Sequence, residues 1–266
     1  MAFVRRRRDE RFVDSEDSFQ KVPSNGFAHT FVYKYVKQLV SVNFSTIRQL
    51  LQDELNRNTN YRGMWNMAKT EYSKKKNRLT SSLPEECHIA LIAYTLEGPL
   101  YKDFNHMCKT LKNDNDWNNF PYKSLYALLA RSIHGIDNNP SVSGSIYYRG
   151  MSFRKQKLSF KEGDYIHPVH FLSCSVDEEV AVQFMGEEQA TLIAFKGSPM
   201  AACGIAGHSA FPDENEILVF PWSTFKVAQI ERRQYEDVIV LESAGSLVGD
   251  LPYSGPYAQK GKAIAN

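Results

Sequence analysis

The residue types best suited to chemistry occur in three short patterns, all in the second half of the 266-residue chain. The first is Tyr147-Tyr148-Arg149-Gly150, a predicted strand end that places a guanidinium beside a glycine. A guanidinium can hold a pyrophosphate through paired, charge-assisted hydrogen bonds. Glycine lacks a side chain and lets a flat ligand approach the backbone closely. Alone, an arginine before a glycine is more often an exposed turn, so the pattern needs support from the others.

The second pattern is Ser173-Cys174-Ser175, which follows Phe171-Leu172. In an extended strand, Ser173 and Ser175 share one face while Leu172 and Cys174 share the other. Such a strand suits the wall of a polar cleft above an apolar core, although a half-exposed antiparallel strand has the same pattern. No histidine and aspartate stand out that would make either serine a nucleophile. We therefore interpret both hydroxyls as hydrogen-bonding groups.

The third pattern is the pair Glu214 and Glu216, which leads into the apolar run Ile217–Phe220. Two residues apart at the start of a strand, the carboxylates are expected to project to the same side. One carboxylate can then stabilise a developing positive charge while the other handles a proton. A Glu-x-Glu pair is also common in exposed strands, so its meaning depends on the other two patterns.

Two kinds of sequence surround these patterns. From about Thr30 to Ile136 apolar residues recur with helical spacing. After the turn-forming segment 137–144, short β-type runs separated by glycine and proline continue to Leu241, interrupted by helical spacing over Glu178–Gly186. The sequence therefore predicts an α+β fold with an N-terminal helical lobe and a β-rich half after it.

The same changes predict four segments. Residues 1–26 form a flexible arm in which four arginines precede acidic and polar residues. Residues 27–139 form the helical subdomain, and residues 140–242 form the β-rich core that carries all three patterns. Residues 243–266, rich in Gly, Ser, Pro and Ala, form a disordered tail.

The composition of the chain indicates which kinds of binding partner and which cellular location to expect. The chain is 42% apolar and 23% charged with a net charge of +2, which demands neither a nucleic-acid nor a membrane partner. Its best apolar run, Ile89–Leu96, falls far short of the roughly 18 residues of a membrane span. The four cysteines have no spacing suited to a metal, so no metal site is expected. Because no secretory signal precedes Arg5–Arg8, we expect an intracellular, cytoplasmic protein with reduced thiols, with secretion as the alternative.

Taken in order, the three patterns resemble the signature of the arginine-specific mono-ADP-ribosyltransferases, an Arg followed by a Ser-x-Ser strand and then Glu-x-Glu (the R-S-E motif). In this sequence the signature consists of Arg149, Ser173–Ser175 and Glu214–Glu216. The poly-ADP-ribose polymerases can be set aside, because they carry a His in place of Arg149 and a Tyr in place of Ser173. The resemblance spans about Asn60 to Val227.

Two aromatic residues extend the resemblance. Phe184 lies eleven residues after Ser173, where the family places an aromatic ring against the nicotinamide. Phe211 lies three residues before Glu214, where the family's acceptor-recognition turn carries an aromatic residue. Cys174 departs from the family pattern, which often has threonine there, and leaves redox sensitivity open beside the interpretation as a buried thiol.

The resemblance implies the ADP-ribosyltransferase fold, a helical lobe packed on a split pair of small, mainly antiparallel sheets. It implies a transferase, classed as a glycosyltransferase or nucleotidyltransferase, that moves ADP-ribose from NAD⁺ or NADP⁺ to an arginine side chain and releases nicotinamide. NAD⁺ would be a co-substrate and no metal would take part. The partner would be an acceptor protein with an exposed arginine, while the oligomeric state stays open.

The resemblance also implies roles for individual residues. Arg149 would bind the NAD⁺ phosphates and the nearby ribose, and Gly150 would offer its backbone amide and carbonyl to the nicotinamide carboxamide. Ser173 would position the nicotinamide ribose and brace Glu216, and Phe184 would stack on the nicotinamide ring. Glu216 would hydrogen-bond the ribose 2′-hydroxyl and stabilise the oxocarbenium-like transition state.

Glu214 would select the acceptor, with Phe211 on the same recognition turn. A free guanidinium has a pKa above about 12 and is a poor nucleophile without a neighbouring base. Glu214 would orient the incoming arginine and draw off its proton. If it engages no acceptor, water takes the place of arginine.

Three alternatives stay open. The first is an NAD⁺ glycohydrolase or a transferase to a non-arginine acceptor. The second is an inactive NAD-binding or interaction module. The third, nucleic-acid binding through Arg5–Arg8, needs a second basic surface; Lys74–Lys76 with Arg78 is better explained as a solvated helix face, so nucleic acid is not expected.

Overall fold

The structure, a computed structural model, describes residues 18–24, 31–79, 82–136, 146–151, 159–185, 190–197, 202–221, 223–233 and 236–246. Contacts among residues divide the chain into two compact units. The helical unit consists of Pro23–Asp137 and Gly207–Ala210, and the β unit consists of Asn138–Ala206, Phe211–Ser246 and the residues up to Val22. The elements in these units confirm the predicted α+β class.

Capped helices build the first unit. Asn43 and Asn58 each precede a helix, and their side chains accept the backbone N–H groups of Thr46 and Tyr61 at 2.9 Å. Both are N-caps of a strongly preferred residue type. Within the described residues the helices are α1 (Phe31–Ser41), α2 (Phe44–Arg57), α3 (Thr59–Lys75), α4 (Glu85–Thr95), α5 (Pro99–Thr110), α6 (Asp114–Asn119) and α7 (Lys123–Gly135).

Helix α4 forms the centre of the helical unit. Every residue from Cys87 to Thr95 is buried, and the helix packs against α3, α5 and α7. A helix that is apolar on all sides is stable in water only when neighbours cover it fully. The longest apolar run of the sequence is therefore explained as a core helix. In the part of the chain that the structure describes, no helix is long and apolar enough to cross a membrane.

A buried carboxylate on α2 caps helix α7. The Glu54 oxygens accept the backbone N–H groups of Lys123 at 2.8 Å and Ser124 at 3.0 Å, and the Ser124 hydroxyl also donates to Glu54. These bonds satisfy donors that a helix N-terminus otherwise leaves open. Burial nevertheless raises the pKa of Glu54 to about 7.

The tetrapeptide Gly207–Ala210 belongs to the helical unit, although it lies within residues 140–242, the predicted β-rich core. The His208 ring stacks on His88 with centroids 4.9 Å apart, and Lys75 Nζ donates to the carbonyl oxygen of Ser209 at 2.7 Å. These are contacts with residues more than 100 positions earlier, which local sequence patterns do not reveal.

The β unit is a curved sheet with a short helix, α8 (Glu178–Gln183). Among the described residues its strands follow the order β1-β3-β8-β9-β5-β2-β4-β7-β6. All neighbours are antiparallel except β5 and β9, which are parallel. The strands are β1 (Phe19–Lys21), β2 (Tyr147–Met151), β3 (Tyr165–Pro168), β4 (Leu172–Ser175), β5 (Ala190–Lys196), β6 (Ala202–Gly204), β7 (Glu216–Val219), β8 (Ser223–Arg232) and β9 (Glu236–Ser246).

The resemblance implied two separate sheets, whereas the described strands form one sheet. Its weakest pairing, the junction between β2 and β4, lies where a split would be expected. Strands β2 and β4 are joined by the single register pair Tyr148 and Ser175. By contrast, β2 pairs with β5 over five residues and β4 pairs with β7 over four. The junction is where all three sequence patterns meet.

Strand alternation near this junction separates core from cleft. The apolar core takes alternate residues of β4 and β7, namely Leu172, Cys174, Ile217 and Val219. Because side chains alternate between faces, Ser173, Ser175 and Glu216 lie on the opposite face. The predicted two-faced strand at Ser173–Ser175 is thus present.

Two segment boundaries differ from those expected. Phe19–Lys21, inside the predicted flexible arm, forms β1 and pairs with Ile166–Pro168 of β3. Strand β9 continues to Ser246, past the predicted start of the tail at residue 243, because it pairs with β8 as far as Ser223. Strand partners distant in the sequence decide both cases. Residues 1–17 and 247–266 lie outside the described residues.

Candidate active site

Six of the seven predicted site residues line one cleft of about 260 Å³ in the β unit. Strands β2, β4 and β7, helix α8 and the turn before β7 supply its walls. The predicted residues there are Arg149, Gly150, Ser173, Phe184, Glu214 and Glu216. The cleft is also lined by residues that were not predicted as site residues, namely Tyr148, Cys174, Ser175, Val180 and Ala181.

A row of polar side chains crosses the junction between β2 and β7. Ser175 is in register with Tyr148 on one side and with Glu216 on the other. Directly opposed residues of antiparallel strands lie on the same face of the sheet. Ser175 shares the spacing that singled out Ser173, so its place was readable from the sequence.

Arg149 adds a second link across the same junction. Its side chain is 5% exposed, and its guanidinium donates a hydrogen bond to the carbonyl oxygen of Ser173. A guanidinium has five donors, so this bond uses only part of its capacity. Arg149 also lines the cleft.

Gly150 lies close to other residues of the protein. The sequence had suggested a different reason for the glycine, namely the close approach of a flat ligand. A Cβ atom added to Gly150 would lie 2.1 Å from the carbonyl oxygen of Ala181 and 2.8 Å from Cγ of Met185. Real Cβ atoms do not come so close to backbone. The glycine therefore lets helix α8 pack directly on β2, which brings the helix to the wall of the cleft.

The two glutamates reach the cleft through a turn, and strand alternation does not account for both. Glu214 ends a 3₁₀ turn, Pro212–Glu214, while Glu216 is the first residue of β7. Asn215 between them is left-handed, with φ 46° and ψ 46°. Both side chains are buried, at 7% exposed for Glu214 and 4% for Glu216.

Hydrogen bonds hold both ends of this turn. The Ser175 hydroxyl donates to the carbonyl oxygen of Glu214 at 2.8 Å, and the Ile205 N–H donates to the carbonyl oxygen of Glu216 at 2.8 Å. Ser175 also accepts the N–H of Asp177 at 3.0 Å, just ahead of α8. One hydroxyl thus connects the Glu-x-Glu turn to the helix on the other wall.

The two predicted aromatic residues have different surroundings. Phe184 is the C-cap of helix α8, is buried and lines the cleft. Phe211 is half-buried and stands outside the lining set. Its carbonyl oxygen accepts the N–H of Glu214 at 3.2 Å and so begins the turn that carries the glutamate.

Within the described residues, no group of three or more His, Cys, Asp or Glu side chains is arranged to hold a metal ion. The cleft offers instead one guanidinium, two carboxylates, two serine hydroxyls and an aromatic ring. That set can bind an anion, orient a sugar and stabilise positive charge beside it.

Comparison with known proteins identifies the family. The model of the NAD:arginine ADP-ribosyltransferase family matches residues 26–247. The erythroblast NAD(P)(+)--arginine ADP-ribosyltransferase of Gallus gallus is 28% identical over 200 residues, which is 72% of this chain and 64% of the relative. The GPI-linked NAD(P)(+)--arginine ADP-ribosyltransferase 1 of Mus musculus is 26% identical over 227 residues, covering 80% and 67%.

Solved structures agree on the fold. The crystal structure of the eukaryotic mono-ADP-ribosyltransferase ART2.2 has a TM-score of 0.62 at 21% identity, and the match covers 87% of this chain and 93% of that one. The chain spans just under two thirds of the length of the Gallus gallus relative. Since the family model extends over the helical unit and over every strand that lines the cleft, this chain belongs to the NAD:arginine ADP-ribosyltransferase family.

Proposed function

We propose that this protein transfers ADP-ribose from NAD⁺ to an arginine side chain of a protein and releases nicotinamide. The observation that carries the proposal is the placement of two buried carboxylates, Glu214 and Glu216, in the cleft that also holds Arg149 and Phe184. An ADP-ribosyl transfer to a guanidinium needs one carboxylate for the sugar and one for the acceptor.

The cleft suits the nicotinamide end of the dinucleotide. It brings an aromatic ring, a serine hydroxyl and a guanidinium together. Phe184 would stack on the nicotinamide ring, while Ser173 would position the ribose. Arg149 would hold the phosphates through charge-assisted bonds.

Glu216 would drive cleavage of the glycosidic bond. As the bond from ribose C1′ to the nicotinamide nitrogen breaks, its electron pair leaves with nicotinamide and positive charge develops on the ribose. A carboxylate that accepts a hydrogen bond from the 2′-hydroxyl stabilises that charge. Its buried position in β7 keeps it fixed, so little reorganisation is needed during the reaction.

Glu214 would prepare the acceptor. An arginine nitrogen attacks C1′ and forms the new C–N bond, and it loses one proton so that the guanidinium keeps a single positive charge. Glu214 accepts that proton and orients the guanidinium through paired hydrogen bonds. Without an acceptor, water attacks C1′ and the products are free ADP-ribose and nicotinamide.

The test measures nicotinamide release and agmatine adduct by the purified full chain, with NAD⁺ and in parallel with NADP⁺. We expect Glu216→Gln to lower both readouts on the order of 100- to 1000-fold. We expect Glu214→Gln to abolish the adduct while nicotinamide release without agmatine persists. The exposed Glu231 of β8 supplies the control, since Glu231→Gln makes the same chemical change outside the cleft.

Other results of this assay would support a different function. Nicotinamide release by the wild-type protein without any agmatine adduct would indicate a glycohydrolase or another acceptor. NAD⁺ binding without turnover would indicate a binding module. The intracellular location expected from the sequence stays a prediction, which microscopy of the tagged protein would check.

A further inference from the structure

Asn215 has an unusual backbone at the centre of the Glu-x-Glu turn. Its φ of 46° is the only positive value for a non-glycine residue within the described part of the chain. Its side chain is exposed. Asparagine and glycine adopt the left-handed conformation readily, whereas a β-branched residue there is a strained outlier.

Asn215 connects the 3₁₀ turn Pro212–Glu214 to strand β7, and different hydrogen bonds hold these two segments. Before it, the N–H groups of Glu214 and Asn215 donate to the carbonyl oxygens of Phe211 and Pro212, each at 3.2 Å, which closes the 3₁₀ turn. After it, the chain enters β7, which is paired with β4 on one side and β6 on the other. The change of direction therefore falls on Asn215 itself.

The two glutamates depend on this link to different degrees. Glu216 is in register with Ser175 and its carbonyl oxygen is bonded by Ile205, so the sheet fixes it from both sides. Glu214 lies in the turn, outside the strand, and the Ser175 hydroxyl donates a hydrogen bond to its carbonyl oxygen. A change at residue 215 that leaves the sheet intact must displace Glu214 more than Glu216.

We propose that Asn215 is a positioning residue whose left-handed backbone places Glu214 in the cleft and so sets the partition of ADP-ribose between arginine and water. The inference rests on the proposed function, in which Glu214 engages the acceptor and Glu216 acts on the ribose. According to this proposal, the backbone conformation of residue 215 positions Glu214, and the amide side chain is not required.

The experiment compares Asn215→Gly, Asn215→Ala and Asn215→Val with the wild-type chain. Each variant is assayed for NAD⁺ hydrolysis without agmatine and for adduct formation with it. Because a misplacement of about 1 Å at a reacting group can cost on the order of 100-fold, we expect Val to lower the ratio of adduct to hydrolysis about 10- to 100-fold. Glycine is expected to keep the wild-type ratio, and alanine to fall between them.

The matched control is Asn118→Val, the same replacement at an exposed asparagine of α6 in the helical unit, where φ is negative. If the valine variant fails to fold, as judged by circular dichroism, the glycine and alanine variants still show whether the ratio of adduct to hydrolysis falls when glycine is replaced by alanine. A wild-type ratio in folded Asn215→Val or Asn215→Ala would overturn the inference, as would equal losses in Gly and Val. Absence of NAD⁺ turnover by the wild-type protein would overturn the proposed function itself, and this inference with it.

Discussion

At the scale of single residues, the site depends on backbone conformations and contacts as much as on functional groups. Glu214 and Glu216 could be chosen as candidates from residue type and spacing alone. Asn215 and Gly150 make their contribution through the backbone, one by a left-handed turn and the other by the absence of a Cβ atom. Both can be tested by single substitutions.

We predict that Gly150→Ala destabilises the β unit and weakens NAD⁺ binding. The added Cβ would lie 2.1 Å from the backbone of Ala181, so helix α8 or strand β2 must shift. Overpacking of this kind typically costs about 1–3 kcal/mol. Thermal unfolding and calorimetric titration with NAD⁺ would measure the two effects.

The control for this change is Gly63→Ala in helix α3. A Cβ there meets no atom within 4 Å, so alanine is expected to stabilise the helix by about 1 kcal/mol. Unchanged NAD⁺ affinity in Gly150→Ala would show that the contact between α8 and β2 is not needed to form the binding site.

At the scale of elements, helix α7 depends on a carboxylate from α2. Glu54 is buried beneath the α7 N-terminus, and its pKa is raised to about 7 from an ordinary value near 4.5. A raised pKa means that the folded protein binds the proton more tightly than the unfolded chain does. The stability from Glu54 is therefore fully present below about pH 4.5 and is lost as pH rises through about 7.

We predict that the unfolding free energy of the wild-type protein, relative to Glu54→Gln, falls as pH rises from about 4.5 to 7. The change is on the order of 3 kcal/mol at most, since each unit of pKa shift corresponds to about 1.4 kcal/mol. Denaturant unfolding at several pH values would measure it. A constant difference across that range would mean that Glu54 keeps an ordinary pKa in the folded protein.

The comparison with Glu54→Gln is needed because histidines act in the opposite direction. Burial lowers the pKa of His167 and of His208 to about 4. Their contribution to stability is lost as pH falls from about 6.5 towards 4. Both histidines are present in wild type and variant, so their effect cancels in the difference.

At the scale of the whole molecule, the cysteines are distributed over both units and all four side chains are buried. Burial raises the pKa of Cys87 to about 12 and also raises the pKa of Cys108 and of Cys203. Cys174 lines the cleft but is only 4% exposed, and it belongs to the apolar core. This burial favours the interpretation of Cys174 as a core thiol over a redox-sensitive group.

We predict that the native protein reacts slowly with an aromatic disulfide reagent at pH 8, because thiolates are the reactive species and all four cysteine side chains are buried. In guanidinium chloride all four thiols are expected to react quickly. The absorbance of the released aromatic thiolate gives the number of reacting cysteines and their reaction rate, both in the native protein and in guanidinium chloride. Rapid labelling of Cys174 in the native protein, identified by mass spectrometry, would contradict its burial.

Several features were predictable from the sequence because they depend on local patterns. Alternation around Ser173–Ser175 separates core from cleft in any half-buried strand, and the apolar residues of β5 and β7 identify them as strands. Helical spacing likewise predicted the helical segment that contains α7 (Lys123–Gly135). The order of Arg149, the serines and the glutamates in the chain was enough to suggest the family.

Other features were decided only by the tertiary structure, because the partner groups lie far away in the sequence. Strand β1 exists because β3, about 145 residues later, offers an edge to pair with. The tetrapeptide before Phe211 joins the helical unit through His88 and Lys75. The left-handed Asn215 and the contact of Gly150 with Ala181 depend on how β4, β7 and α8 pack. Residue types and their spacing determined which groups are available for chemistry, and long-range packing determined where each group lies.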